Sequence, residues 1–274
     1  MTAPLPGRLV LLGHPVSHSL SPAFQNAALR AAGIPLVYEA LDIPPDALPG
    51  MLRSLIAERA AGNVTIPHKD AVYRACAIRS AIAERAGAVN TFWVDSTGQL
   101  VGDNTDVAGI EALTDALGVA RDSARVALLG SGGAASAVCA AVERWPSVQV
   151  RVHSRTPSRS ATLGARFPTL VQLADSVADA LSGATLVINA TPVGMRDEAL
   201  PVEISDLPRD AHVMDLVYRP GETRWVREAR AAGHEALDGI GMLLHQGAVA
   251  FERWFGRTPD VAVMRDALQR AAKR

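Results

Sequence analysis

Two rhythms alternate along this chain: short continuous apolar runs, and longer stretches in which apolar residues recur every three or four positions. RLVLLG (residues 8–13) has the form of a buried strand closed by glycine. Ser21-Pro22 then predicts a helix start, because serine can accept from free N–H groups and proline fits the first turn. Gly33 suits its left-handed stop. LVYEALDI (36–43) predicts a second strand, DALPGMLRSLIAERA (46–60) a helix, GNVTI (62–66) a third strand and AVNTFWV (88–94) a fourth, with a turn at DSTGQ (95–99). After Asp106, VAGIEALTDALG predicts a helix, and RVALLG (125–130) a strand running into Ser131-Gly132-Gly133-Ala134. An alanine-rich helix, a strand VQVRVHS (148–154), another helix and the strands TLVINA (185–190) and HVMDLV (212–217) follow. Strands alternating with helices of this length imply right-handed βαβ units on a parallel sheet. In the tail GIGMLLHQGAVAFERWFG, Ile240, Leu243, Leu244, Ala248, Phe251 and Phe255 mark one face of an amphipathic helix, and a last helix follows Pro259.

Composition narrows the class. The 274 residues are enough for two domains, and 49% hydrophobic with 20% charged residues suits a compact fold. The formal net charge is −1 and no Lys/Arg block recurs, which argues against a nucleic-acid surface. Cys76 and Cys139 stand far apart without Cys or His neighbours, so neither a disulfide framework nor a zinc site is expected. No apolar run reaches membrane length, and the expected location is the cytoplasm. No low-complexity linker or repeat is present; the pattern alone puts a domain seam near Asp106.

LLGSGGAASA (128–137) places Gly130, Gly132 and Gly133 between a strand and a helix. Small residues there let the backbone approach a pyrophosphate, whose charge is met by free N–H groups at the helix start. Glycine is common in loops for other reasons; the strand–loop–helix context is what makes a dinucleotide site the better reading. At the end of the next strand stands His153-Ser154-Arg155-Thr156-Pro157-Ser158-Arg159, with two arginines and no carboxylate. A carboxylate there would bind a ribose 2′-hydroxyl and repel a 2′-phosphate, whereas guanidinium groups hold phosphate in a bidentate fork, so NADP is favoured over NAD.

Polar residues also cluster at strand ends in GHPVSHSLSP (13–22), GNVTIPHK (62–69), AVNT (88–91) and GDNTD (102–106), where open α/β sheets bind ligands. Ser19 and Ser21 are hydroxyls near a helix start, suited to a carboxylate, and Ser21 has a competing role as helix cap. Asn63, Thr65 and Asn90 offer neutral hydrogen bonds of the kind a polyol needs, though asparagine is also an ordinary turn former.

GHPVSHSLSP, GNVTIPHK, GAVNT, GDNTD, GSGGAASA, INATPVGM and DGIGMLLHQGAVAF stand in the order found in shikimate dehydrogenases, and this resemblance runs from residue 13 to about 256. It implies an α/β fold: an N-terminal three-layer substrate domain over residues 1–106, completed by C-terminal helices over 240–274, with an NADP-binding Rossmann domain over 107–239. The activity implied is reversible NADPH-dependent reduction of 3-dehydroshikimate to shikimate, on the route to chorismate and the aromatic amino acids. By position, Ser19 and Ser21 would hold the substrate carboxylate, with Tyr218 bordering it. Thr65, Asn90 and Gln246 would contact substrate with Asn63 nearby, and Lys69 with Asp106 would form the catalytic pair. The cofactor would be met by Gly130, Ser131, Gly132, Gly133 and Ala134, by Ser154, Arg155, Thr156 and Arg159 at the adenosine phosphate, and by Thr191, Gly239 and Met242, the last near the nicotinamide. A homodimer is a possible assembly, and no metal is required. The chemistry of the residues agrees: ketone reduction needs a hydride on carbon and a proton on oxygen, and a lysine that is cationic at neutral pH can polarise the carbonyl and release a proton, the sequence leaving open whether Lys69 alone or the Lys69–Asp106 pair is the acid/base.

Four positions depart from the family's usual residues: Gln25 replaces His, Val107 replaces Gly or Ala, Gly247 replaces Ala, and Ser154 replaces Asn. None removes a proposed catalytic group. The alternatives are a relative that takes quinate or an aminoshikimate with NAD, and a non-catalytic NADP-binding regulator on the same fold. Intact Ser19, Ser21 and Thr65 favour shikimate, and the presence of both Lys69 and Asp106 opposes the regulator.

Overall fold

The computed structural model describes residues 5–273. Contacts divide the chain into two compact units, one reaching to Asp106 and resuming at Leu243, the other Val107–Met242. The second seam thus lies three residues beyond the position the sequence motif suggested, so that Ile240, Gly241 and Met242 pack with the second unit.

The first unit is built on strands β1 (Leu9–Gly13), β2 (Tyr38–Asp42), β3 (Ala61–Val64), β4 (Ile78–Arg79), β5 (Thr91–Val94) and β6 (Leu100–Asp103), in the spatial order β2-β1-β3-β5-β6-β4. Helices α1 (Ser21–Ala31), α2 (Leu48–Ala57), α3 (Lys69–Ala75) and α4 (Ala81–Ala86) interleave with them. Helix α5 (Asp106–Ala116) leads into the second unit. Val10, Leu12, Val64, Phe92 and Leu100 project from one face of the sheet onto Leu48, Leu52 and Leu55 of α2, Val72 of α3 and Ala83 of α4. On the opposite side, α1 packs along the last helix, Val261–Ala272, and the indole of Trp254 donates to the Phe92 carbonyl at 3.2 Å. The unit is a three-layer α/β structure.

Two expectations fail here, each for a local reason. The first sheet is not wholly parallel, because β5 runs antiparallel to both β3 and β6. Strands β5 and β6 are joined only by the turn at 95–99, too short for the crossover a parallel pair needs. Asp95 fixes that turn by accepting from the N–H groups of Thr97 and Gln99 at 2.8 and 2.9 Å. The second failure is the helix cap. Ser21 is already the first helical residue, and the cap position is Leu20, whose side chain makes no capping bond. The oxygen that meets a start-of-helix N–H is Oγ of Ser19, which accepts from Ser21 N at 3.3 Å. Helix α3, which begins at Lys69, and strand β6 carry no clear periodicity in sequence and were not expected.

The second unit holds β7 (Arg125–Leu129), β8 (Gln149–His153), β9 (Val171–Leu173), β10 (Leu186–Asn189), β11 (His212–Asp215) and β12 (Ala236–Leu237), all parallel, in the order β12-β11-β10-β7-β8-β9. That is the doubly wound dinucleotide-binding order, with the direction of winding reversing between β7 and β10. Strand alternation feeds two cores. Val126 and Leu128 pack with α5, α6 (Gly133–Val142) and α7 (Pro157–Arg166), while Ala127 and Leu129 pack with α8 (Val177–Leu181) and α9 (Arg224–Ala231). Helix α10 (Ile240–Phe255) and α11 (Val261–Ala272) close the chain. No helix among the described residues is long and apolar enough to cross a membrane.

Phe92 is fully buried at the centre of the first sheet. Phe92→Ala should lower the unfolding free energy of the protein by about 3–5 kcal/mol, measured by urea denaturation of the first unit's transition; a loss under about 1 kcal/mol would contradict this placement of the core.

Candidate active site

The pairing of β3, β5 and β6 sets Asn63 opposite Thr91, and Thr91 opposite Asp103, in one row across the sheet. Residues directly opposite share a face, so the polar ends of three strands meet at one edge. Asn63 Nδ2 donates to Thr91 Oγ1 at 2.9 Å and its Oδ1 accepts from the Tyr38 hydroxyl at 2.8 Å. Asn90, just before β5, sits at the centre. Its Nδ2 donates to Asp106 Oδ1 at 2.8 Å and to Thr105 Oγ1 at 3.1 Å, and its Oδ1 accepts from the Thr105 N–H at 2.7 Å. Gln246 of α10 brings Oε1 to 3.4 Å from both Asn90 Nδ2 and Thr105 Oγ1, its own amide group being held on the Leu243 carbonyl at 2.8 Å.

Lys69, the first residue of α3, places Nζ 2.6 Å from Asp106 Oδ2. The carboxylate side chain is 6% exposed and the lysine side chain 17%. Neither is a solvated surface charge. Asp106 opens α5, and its N–H donates to Asn104 Oδ1 at 3.1 Å, so the carboxylate is fixed from its own backbone as well as by Asn90. The departure at Val107 is absorbed by packing, since Val107 is buried in the core of the second unit while Asp106 keeps its partners. Thr65 is half-buried, and its N–H bonds the Leu12 carbonyl at 2.8 Å, which ties the β3 end to β1. Ser21 is buried on α1 with no protein partner for its hydroxyl among the described residues.

In the second unit, Gly130 directly follows β7 with φ of +112°, and a Cβ there would stand 2.8 Å from the Ala190 carbonyl oxygen. Only glycine fits, and the approach joins the loops after β7 and β10 at the reversal of winding. Gly132 precedes α6 with open space where a side chain would be. Ser131 Oγ lies 2.8 Å from Ser154 Oγ, which also accepts from Thr156 N at 3.2 Å, so the shorter side chain at 154 links the glycine loop to the arginine segment. Arg155 and Arg159 are exposed, and neither has an ion-pair partner among the described residues. Thr191 follows β10 with its N–H and hydroxyl on Asn189 Oδ1 at 3.0 and 2.6 Å. A glycine loop at a helix start, followed by unpaired guanidinium groups and no carboxylate, is the donor set an NADP pyrophosphate and 2′-phosphate require.

The remaining positions have structural duties as well. Gly239 donates to the Val217 carbonyl at 3.0 Å, and a Cβ there would meet the Leu216 oxygen at 2.5 Å. Met242 lies in the second unit's core with Ile110 and Leu113, and Tyr218 is half-buried in the segment after β11.

This arrangement has relatives. The shikimate dehydrogenase substrate binding domain matches residues 11–92, and the shikimate 5′-dehydrogenase C-terminal domain matches 239–269. A shikimate dehydrogenase (NADP(+)) from Methylobacterium radiotolerans is 42% identical over 262 residues, covering 93% of each chain. The chain belongs to the shikimate dehydrogenase family. Another family member, from Rubrobacter xylanophilus, is 44% identical over 270 residues and covers 94% of each chain. In structure, the shikimate 5-dehydrogenase of Thermus thermophilus, solved in complex with NADP(H) and shikimate, has a TM-score of 0.85 and 39% identity, with 96% of this chain and 99% of that one covered.

Sequence reasoning missed several members of the site. Thr91 and Thr105 share the Asn90 network, and both are the threonine of an Asn-Thr pair, in AVNT and GDNTD; that repetition was the available signal. Tyr38 gave none. Asp215 was also missed: it ends β11 fully buried, taking hydrogen bonds from Asn189 Nδ2 at 2.9 Å, Val217 N at 3.0 Å and Thr223 Oγ1 at 2.8 Å. It therefore braces both the Thr191 loop and the segment leading to Tyr218. Burial pushes its carboxyl up to about 6, against the pull of these three donors. A carboxyl raised on folding adds stability below its unfolded value, and that contribution is lost as pH rises through about 6. Asp215→Asn keeps the shape without the charge. The stability of the variant relative to wild type should therefore grow by about 2 kcal/mol from pH 4 to pH 8, read from urea unfolding at both ends; a gap that stays flat or shrinks would refute the assignment.

Proposed function

We propose that this protein is an NADP-dependent shikimate dehydrogenase, reducing 3-dehydroshikimate to shikimate and running the reverse oxidation. The observation that carries the reading is the Lys69–Asp106 pair, its carboxylate buried and its lysine partly so, braced by Asn90 beside Gln246, in a chain that belongs to this family. Bound NADPH supplies the hydride to the carbonyl carbon. Lys69 has three N–H groups; one is spent on Asp106 Oδ2, leaving two for the substrate's reacting oxygen. As negative charge grows on that oxygen, the ammonium stabilises it, then passes a proton from Nζ to it and is reprotonated from water. Asp106 holds Nζ in place through Oδ2 while Oδ1 stays on Asn90, which prevents the carboxylate from swinging away.

The neighbouring groups bind the polyol. Gln246, Thr65, Asn90 and Asn63 offer neutral donors and acceptors to ring hydroxyls. The Ser19 and Ser21 hydroxyls at the start of α1 take the substrate carboxylate, where the free N–H groups of a helix favour an anion. Tyr218 is assigned to the substrate carboxylate by the family resemblance alone. Arg155 and Arg159, being unpaired and exposed, hold the adenosine phosphate, with Ser154 and Thr156 beside it. Residues up to Asp106 and from Leu243 then form the substrate unit and Val107–Met242 the NADP unit. A cytoplasmic location and a homodimer go with a biosynthetic enzyme of this kind.

Lys69→Ala should lower kcat for shikimate oxidation by about a thousandfold or more while changing shikimate affinity only a few-fold, as followed by NADPH absorbance and by calorimetry. Activity surviving within tenfold would reject the mechanism. Arg155→Ala should raise KM for NADP by about tenfold and leave KM for NAD unchanged; equal effects on both, or wild-type enzyme faster with quinate and NAD, would favour the quinate reading instead.

A further inference from the structure

We propose that Gln25 is a positioning residue for substrate binding, acting with Gly247 to set where α10 presents Gln246; this rests on the assignment of Gln246 to substrate made above. Gln25 is fully buried on α1, and its Nε2 donates to the Gly247 carbonyl at 2.9 Å. Gly247 directly follows Gln246, whose Oε1 stands beside Asn90 and Thr105.

The two helices meet there without slack. A Cβ at Gly247 would fall onto Cε2 of Phe24, 2.7 Å from its Cζ and 3.2 Å from Gln25 Nε2. Alanine is therefore excluded unless α10 moves off α1 or the ring moves. Ser21 lies one helical turn before Gln25 on the same buried face of α1. The Gln25–Gly247 bond accordingly ties the helix start assigned to the substrate carboxylate to the turn of α10 assigned to its ring.

The glutamine is poorly chosen for packing alone. Its Oε1 is buried with no hydrogen-bond partner. Leaving half an amide unsatisfied costs stability that methionine or leucine of similar volume would avoid. What an apolar residue cannot supply is the Nε2–H donor to Gly247, and that donor fixes the approach of α10. Gln25 touches neither Lys69 nor Asp106 in any hydrogen bond, so its loss should act on binding rather than on the chemical step.

Gln25→Met removes the donor at nearly constant volume. It should raise KM and the calorimetric Kd for shikimate by about tenfold, with kcat kept within about threefold. Gln25→His, which keeps a ring N–H donor, should return both constants to within about threefold of wild type. Gly247→Ala should weaken shikimate binding similarly. Gly247→Ala combined with Phe24→Leu, which lacks the two colliding ring atoms, should recover it. The proposal is overturned if Gln25→Met leaves Kd within twofold, if kcat falls while Kd holds, or if Gln25→His is as weak as Gln25→Met. Wild-type protein that binds no shikimate would overturn the functional assignment itself, whereas wild-type binding with unaltered variants would overturn only the role of Gln25.

Discussion

A buried carboxylate paired with a part-buried ammonium is stable only where both of its oxygens are met, because the desolvation of the charge rivals its attraction to the partner. Lys69 and Asp106 impose that constraint on the first unit. One carboxylate oxygen is taken by the lysine and the other by Asn90, and Asn90 in turn is clamped by Thr105 on one side and neighboured by Gln246 on the other. Removing any one of these would leave a buried polar group unmatched. The strands are arranged so that this does not happen: β5 runs antiparallel between β3 and β6, which brings Asn63, Thr91 and Asp103 into one row. The same row is anchored from behind by Arg253 of α10, which bonds Asp103 at 2.8 Å. Both oxygens of Asp106 are met, which holds the carboxylate and with it Lys69, whose two remaining N–H groups are those proposed above for the substrate oxygen.

The second unit carries a different feature, a glycine loop at a helix start, where backbone N–H groups are open to a polyanion. Its parallel sheet reverses winding between β7 and β10, and the chain there approaches so closely that Gly130 admits no side chain. Asn189 and Asp215, at the ends of β10 and β11, fasten the adjoining loops to each other. Arg155 and Arg159, proposed above for the adenosine phosphate, are exposed and stand outside this scaffold. Asp215 carries the cost of that fastening as a carboxyl buried against its own charge.

Of the four positions that differ from the family's usual residues, two lie together. Gln25 and Gly247 touch each other across α1 and α10. Ser154 bonds Ser131 and the Thr156 N–H, and so keeps the arginine segment on the glycine loop with a shorter arm. Val107 spends its extra bulk in the second core. Ser154 and Val107 are thus met by their neighbours, whereas Gln25 keeps a buried Oε1 without a partner.

Periodicity by itself determined the strands of both sheets that carry long apolar runs, the amphipathic α10, and the strand–glycine–helix junction, because those signals are local and repeat within a few residues. Ordered polar motifs determined the family and singled out Lys69 and Asp106, thirty-seven positions apart. Tertiary structure alone decided the antiparallel placement of β5, the helical start at Lys69, the transfer of the helix-start hydrogen bond from Ser21 to Ser19, and the recruitment of Thr91, Thr105, Tyr38 and Asp215. The physical reason is one of range. A residue's intrinsic preference is written in its neighbours along the chain, whereas what its hydrogen bond meets depends on which strand or helix the packed core brings beside it.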